Sequence, residues 1–160
     1  MNWTSALSTG ATQIPELEIF LRLLLAAAFA APIGFEREIK DRSAGLRTHM
    51  LTSLASAMFT ILSFEIYHRA QVQSSAVDIL RVIEAVTAGV SFLAAGTIIH
   101  GSGKVHGLTT GAGMWLAGAT GVACGAGYFL VALIGVGLAL LILLAVRHFE
   151  TRLLDTKASK

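Results

Sequence analysis

The chain has 160 residues, of which 54% are hydrophobic and only 14% charged, with a net charge of +2, and its mean hydropathy is +0.70. A soluble domain carries about a quarter charged residues, so this composition excludes an ordinary soluble enzyme and describes one integral membrane domain with room for several spans of about 20 residues. The basic residues are segregated to a few short segments and are not mixed with aromatics, which argues against nucleic acid as a partner.

Residues 1–15 are rich in Ser, Thr and Gly and end in Pro15, the composition of an external N-terminal tail. The apolar run Leu21 to Ala31 has the length of a signal-peptide core, but Glu16 and Glu18 precede it and the bases follow it, the reverse of a signal. It reads as a first span of about Glu16 to Phe35 that enters from outside, with Pro32 kinking its inner end. Gly34 to His49 is the most polar run in the chain, and apolar sequence flanks it on both sides. Glu36, Arg37, Glu38, Lys40, Asp41, Arg42 and Arg47 are too many charges for hydrocarbon, so the run reads as an elbow at a membrane face.

The second helix is expected from Arg47 or Thr48 to Tyr67, followed by an outer loop over 68–80. The third runs from Arg81 to Ile99. His100 to Gly107 is too glycine-rich to continue a helix, and either Thr109 or Thr110 can cap a fourth helix from Leu108 to Cys124. Gly125, Ala126 and Gly127 form a tight outer turn, and a fifth helix spans Tyr128 to Val146. The membrane domain thus covers 16–147, and 148–160 is a short polar tail expected as an interfacial helix.

The proposed inner segments hold nine bases, Arg37, Lys40, Arg42, Arg47, Lys104, Arg147, Arg152, Lys157 and Lys160, against Arg69 and Arg81 outside. Short loops rich in Lys and Arg stay cytoplasmic. The reading is therefore an all-α polytopic bundle of five helices, N-terminus outside and C-terminus cytosolic. The glycines of the fourth segment leave open whether it spans or re-enters.

Gly113, Ala117, Gly121 and Gly125 recur every four residues and strip one helix face of bulk, which lets helix backbones approach closely in lipid. Ala85 and Gly89, and Ser91 and Ala95, repeat this on the third helix. Such faces serve tight packing within the monomer, a homo-oligomer seam or the docking of a membrane-protein partner. Arg22, Glu65, Arg81 and Glu84 fall near the outer surface, and an ionisable residue in a span faces the interior, pairs or marks a pathway. Arg22 is the deepest and is expected to pair with Glu84, with Glu65 as second choice, either as a structural pair or as part of a polar pocket.

The inner acids and histidines, Glu36, Glu38, Asp41, His49, His100 and His106, are oxygen and nitrogen donors of which the acids suit Mg²⁺, but the interleaved bases can satisfy those acids without a metal. Arg47 and Thr48 at a helix start also suit an anionic lipid headgroup. Gly101 to Lys104 fails as a phosphate loop, because Ile98 and Val105 stand where Gly and Ser or Thr are required. Cys124 is the single cysteine, so no internal disulfide forms. No Ser, His and acid set stands out as a nucleophile with its base, and neither an enzyme nor a bound cofactor is expected.

Gly34-Phe-Glu-Arg-Glu38 with Ala44-Gly-Leu-Arg-Thr-His49 resembles the opening signature of the MgtC/SapB family of bacterial inner-membrane proteins. Gly89 to Ile99 is similar to that family's glycine-rich third helix, and Val105-His-Gly-Leu-Thr-Thr110, with Trp115 and Gly121 beyond, to its loop and fourth helix. The likeness covers about residues 17–150. By position Glu36, Arg37, Glu38, Gly45, Leu46, Arg47, Thr48 and His49 match the first motif, Gly89 and Gly96 the second, and Gly107, Leu108, Thr109 and Thr110 the third. The chain departs from the family pattern at Ala85, Ser91, Ala94 and His106. Many members carry a C-terminal ACT-like domain, and the sequence ends soon after the fifth helix, so activity residing there is not expected to carry over.

The resemblance implies a role in adaptation to low magnesium and, in pathogens, in intracellular survival, through contact with membrane proteins such as the F-type ATP synthase. The leading expectation is a non-enzymatic membrane regulator that docks a partner through the small-residue helices and the elbow. A transporter or channel for Mg²⁺ or another cation is the alternative, and a lipid-binding or scaffold protein the third reading.

Overall fold

A computed structural model describes residues 12–72, 80–101 and 104–158. The tail over 1–11, most of the outer loop at 73–79, Ser102 and Gly103 in the inner loop, and the last residues 159–160 lie outside the described residues. The elements are α1 (Glu16–Ile39), α2 (Leu46–Val72), α3 (Leu80–Gly96), β1 (Ile99–Gly101), β2 (Lys104–His106), α4 (Leu108–Gly125) and α5 (Phe129–Ala158). Among the described residues the five helices are those expected, and their ends differ in instructive ways.

Helix α1 runs through Pro32 to Ile39. Pro32 lacks an N–H to donate and its ring crowds the carbonyl four residues back, yet the helix continues into the charged run, where Glu36 pairs with Lys40 one turn on. The elbow shrinks to residues 40–45. There α1 closes with the Asp41 amide on the Glu38 carbonyl at 3.0 Å and the Arg42 amide on the Arg37 carbonyl at 3.2 Å. With Asp41 left-handed at φ 50°, this is a Schellman stop.

Helix α3 ends at Gly96, and the glycine-rich stretch that follows forms an antiparallel ribbon with Ile99 opposite His106 and Gly101 opposite Lys104. The cap of α4 is Gly107, at φ 90°, and neither Thr109 nor Thr110 takes that place. A Cβ at Gly107 would collide with the Thr97 carbonyl, so glycine is required by both conformation and space. Helix α5 does not stop at Val146 but continues to Ala158 in place of a separate interfacial helix.

Helix α4 is the hub, packed against α1, α2, α3 and α5. Ala26, Ala57, Cys124 and Ala132, one from each of α1, α2, α4 and α5, form the main core, and Ala44, Ala94 and Met114 a second. Large side chains such as Leu17, Leu24, Phe92, Leu130 and Leu141 point outward. Small residues inside and large aliphatics outside is the arrangement of helices in lipid, where close backbone contact drives association.

Among the described residues three helical stretches are long and apolar enough to cross a membrane, Glu16–Ile39, Leu46–His68 and Phe129–Val146. Helix α3 has 17 residues and α4 has 18, about 26 and 27 Å against a hydrocarbon core of about 30 Å. Helix α4 is nonetheless unbroken. Its Gly113 meets His49 at the start of α2 and its Gly125 meets Ala57 and Thr60 further along, so it runs parallel to α2 through the depth of the bundle. Enclosed by four helices, it can be rich in Gly and Thr.

Candidate functional site: the elbow and the ends of the fourth helix

Close approach of α1 and α2 sets the geometry of the elbow. A Cβ on Gly34 would lie 2.8 Å from the Leu46 Cα and 3.1 Å from the Gly45 carbonyl oxygen. The Leu46 amide donates to Glu38 Oε2 at 2.9 Å, so a carboxylate at the end of α1 caps the start of α2 and meets its positive pole. Gly45 has no room for a side chain because the Glu38 carboxylate occupies it. Glu36 pairs with Arg37 and Lys40, and Arg37 is buried. Ser43 Oγ donates to the Thr97 carbonyl at 3.2 Å, tying the elbow to the segment before the ribbon.

His49 is fully buried. Its Nδ1 lies 2.8 Å from the Gly45 carbonyl oxygen, which can only accept, so Nδ1 carries the proton. Nε2 has no hydrogen-bond partner among the described residues and faces Gly113 of α4. Arg47 and Thr48 are exposed on the first turn of α2, as are Leu108 and Thr109 on α4, whereas Thr110 is buried. The three sequence motifs therefore meet in part. Elbow, ribbon and the start of α4 share one end of the bundle, while Gly89 lies along α3 with nothing within 4 Å of an added Cβ, as does Gly96 at its end.

The small-residue face of α4 is used inside the molecule. A Cβ at Gly121 would overlap the Ser53 carbonyl oxygen, and one at Gly125 would lie 2.7 Å from the Ala57 carbonyl oxygen. Ala117 is fully buried. Gly118, outside the four-residue repeat, receives Val90 of α3, whose Cγ2 would be 2.8 Å from an added Cβ. Of the uses open to this face, tight packing within the monomer is the one the structure shows, since α2 covers it. The weaker repeat on α3, Ala85, Gly89, Ser91 and Ala95, is exposed.

At the opposite end Arg22 does not join Glu84 or Glu65. Its Nη2 donates to Glu18 Oε1 at 2.5 Å and its Nη1 to the Gly125 carbonyl at 2.7 Å. Glu84 is exposed. Glu65, 6% exposed, accepts the backbone amides of Gln13 and Ile14 at 2.9 and 3.0 Å, anchoring the segment that leads into α1. The residue missed from sequence is Glu18, and its i,i+4 spacing to Arg22 was the signal that identifies it.

Among the described residues no three His, Cys, Asp or Glu side chains group as metal ligands. Glu36 pairs with Arg37 and Lys40, and Glu38 accepts the Leu46 amide.

Helices of membrane-crossing length, a core of small residues and ionisable groups gathered at the two ends define a helical membrane protein. The chain belongs to the MgtC family, whose family model matches residues 23–152. It is 36% identical over 141 residues to YhiD of Escherichia coli K12, named a putative magnesium transporter, covering 86% of this chain and 65% of that protein. It is 38% identical over 114 residues to the protein SapB of Bacillus subtilis, covering 70% and 49%. With the protein MgtC of Brucella abortus it shares 39% identity over 105 residues, covering 64% and 41%. The chain spans less than two thirds of the length of these relatives. No solved structure matches it.

Proposed function

We propose that this protein is a non-enzymatic, multi-pass regulator of the bacterial inner membrane, linked to adaptation to low magnesium and acting by contact with another membrane protein, such as the F-type ATP synthase. The observation that carries this reading is the use of the polar groups. Ser53 Oγ donates to the Ala26 carbonyl of α1 at 2.7 Å, while Thr52, Ser56, Thr60 and Ser63 bond carbonyls of their own helix. Arg22, Glu36, Glu38 and Glu65 hold helix ends. Polar atoms committed to the scaffold do not line a path for a hydrated ion.

The alternation of elbow and ribbon at one end with the Ala126–Gly127 turn at the other, together with the bias of bases toward the first end, supports five passes with the N-terminus outside. The partner's contact falls on the surface left open, the elbow and the exposed face of α3.

A magnesium transporter is the second reading, favoured by the name of the Escherichia coli relative. Reconstitution in liposomes separates the two. Folded, inserted protein should give no Mg²⁺, K⁺ or H⁺ flux above empty liposomes, and flux that an Arg22→Leu, Glu18→Gln variant abolishes while still inserting would make the protein a transporter.

A further inference from the structure

Helix α3 leans on α4 and stands away from its other neighbours, leaving a groove on each side. The groove between α2 and α3 has a volume of about 500 Å³ and is lined by apolar residues including Phe59, Val82, Val86 and Leu93, with Arg81 at one end. The hydroxyls that border it, Thr52 and Ser56, bond the carbonyls of Thr48 and Thr52 at 2.8 and 2.9 Å, so its wall offers no unsatisfied hydroxyl. Gly89 forms part of that wall, and nothing lies within 4 Å of a Cβ added there.

From Arg81 to Leu93 is twelve helical steps, about 18 Å. One leaflet of hydrocarbon is about 15 Å deep. The groove thus has the depth of a single leaflet, and its guanidinium stands at helix α3's first turn, at headgroup level. The second groove, between α3 and α5, has a volume of about 360 Å³ and no charged side chain in its lining, with Ile83, Trp115 and Tyr128 among its residues. It offers the same apolar surface without a cation.

We infer that the α2/α3 groove is a binding site for an anionic phospholipid, one acyl chain lying along Gly89 and the phosphate at Arg81. Charge complementarity decides the occupant. A guanidinium at the mouth of an apolar, leaflet-deep groove matches a phosphodiester followed by an alkyl chain, whereas an apolar helix brings no anion to Arg81. Ala85 also lines the groove and adds only a methyl group to its wall.

Native mass spectrometry of the delipidated protein, titrated with phosphatidylglycerol and with phosphatidylcholine of the same acyl chains, tests the site. Phosphatidylglycerol should be retained about fivefold more tightly at the first site filled. Arg81→Gln should remove that difference, Arg81→Lys should keep most of it, and Gly89→Leu should abolish the selective site without lowering the melting temperature. Equal retention of both lipids by the unmodified protein, selectivity that survives Arg81→Gln, or selective binding unchanged by Gly89→Leu would overturn the inference. A dimer that Gly89→Leu dissolves would place a second copy of the chain in the groove and overturn it equally.

Discussion

The Arg22 guanidinium donates to the Gly125 carbonyl oxygen at 2.7 Å, joining the first helix to the last residue of α4. The closing carbonyls of a helix lack intrahelical partners and form its negative pole. Arg22 satisfies one of them while Glu18 balances the charge from the other side. Gly127, at φ 82°, turns the chain beneath the guanidinium, and a Cβ there would be 3.2 Å from Arg22 Nη2.

Replacing Arg22 by Leu should cost about 1.5 to 3 kcal/mol, the range for hydrogen bonds to charged groups. A double-mutant cycle of unfolding in micelles should show coupling between Arg22 and Glu18 and none between Arg22 and Glu84. Rescue of Arg22→Leu by Glu84→Gln would mean that the outer charges pair differently from the arrangement described.

Glu38 and Gly45 form one device, a carboxylate that caps α2 and the glycine that gives it space. Glu38→Ala should lower stability by about 1 kcal/mol, as loss of an N-cap does. Gly45→Ala should displace the same carboxylate, so the two substitutions together should cost less than their sum. Thermal melts of both single variants and the double variant read this directly, and full additivity would dissociate the two residues.

Asp41 holds the left-handed position that ends α1, where glycine is the unstrained residue. Asp41→Gly should therefore raise stability by up to about 1 kcal/mol, and Asp41→Val should lower it. If the glycine variant melts lower than the parent, the Asp41 side chain makes a contribution that outweighs its backbone strain.

The number and order of the helices were legible in the sequence because apolar runs and glycine-rich breaks mark them directly. Helix ends were less so. Pro32 and the charges after it look like a terminus, yet Glu36 and Lys40 sit one turn apart and carry α1 onward to Ile39. The sequence offers Thr109 or Thr110 as the cap of α4, whereas the close approach of Gly107 to Thr97 demands a residue without a side chain there. Arg22 needs an acid, and the local Glu18, four residues before it, supplies it in place of the more distant Glu84. The periodicity of Gly113, Ala117, Gly121 and Gly125 revealed a face built for close contact. Which helix covers it depends on the tertiary arrangement, and there the pattern is silent.

That small-residue face carries the packing of α4 against α2, because a Cβ at Gly121 or Gly125 would collide with the α2 backbone. The direct measurement compares unfolding of Gly121→Ala and Gly89→Ala in the same micelles. Gly121→Ala, whose Cβ meets the Ser53 backbone, should lose about 3 kcal/mol or more, or fail to fold. Gly89→Ala, which meets nothing, should be at least as stable as the parent because alanine is the better helix former. Equal, small effects at the two sites would contradict the packing of α4 against α2 and return its glycine face to the surface as a docking site.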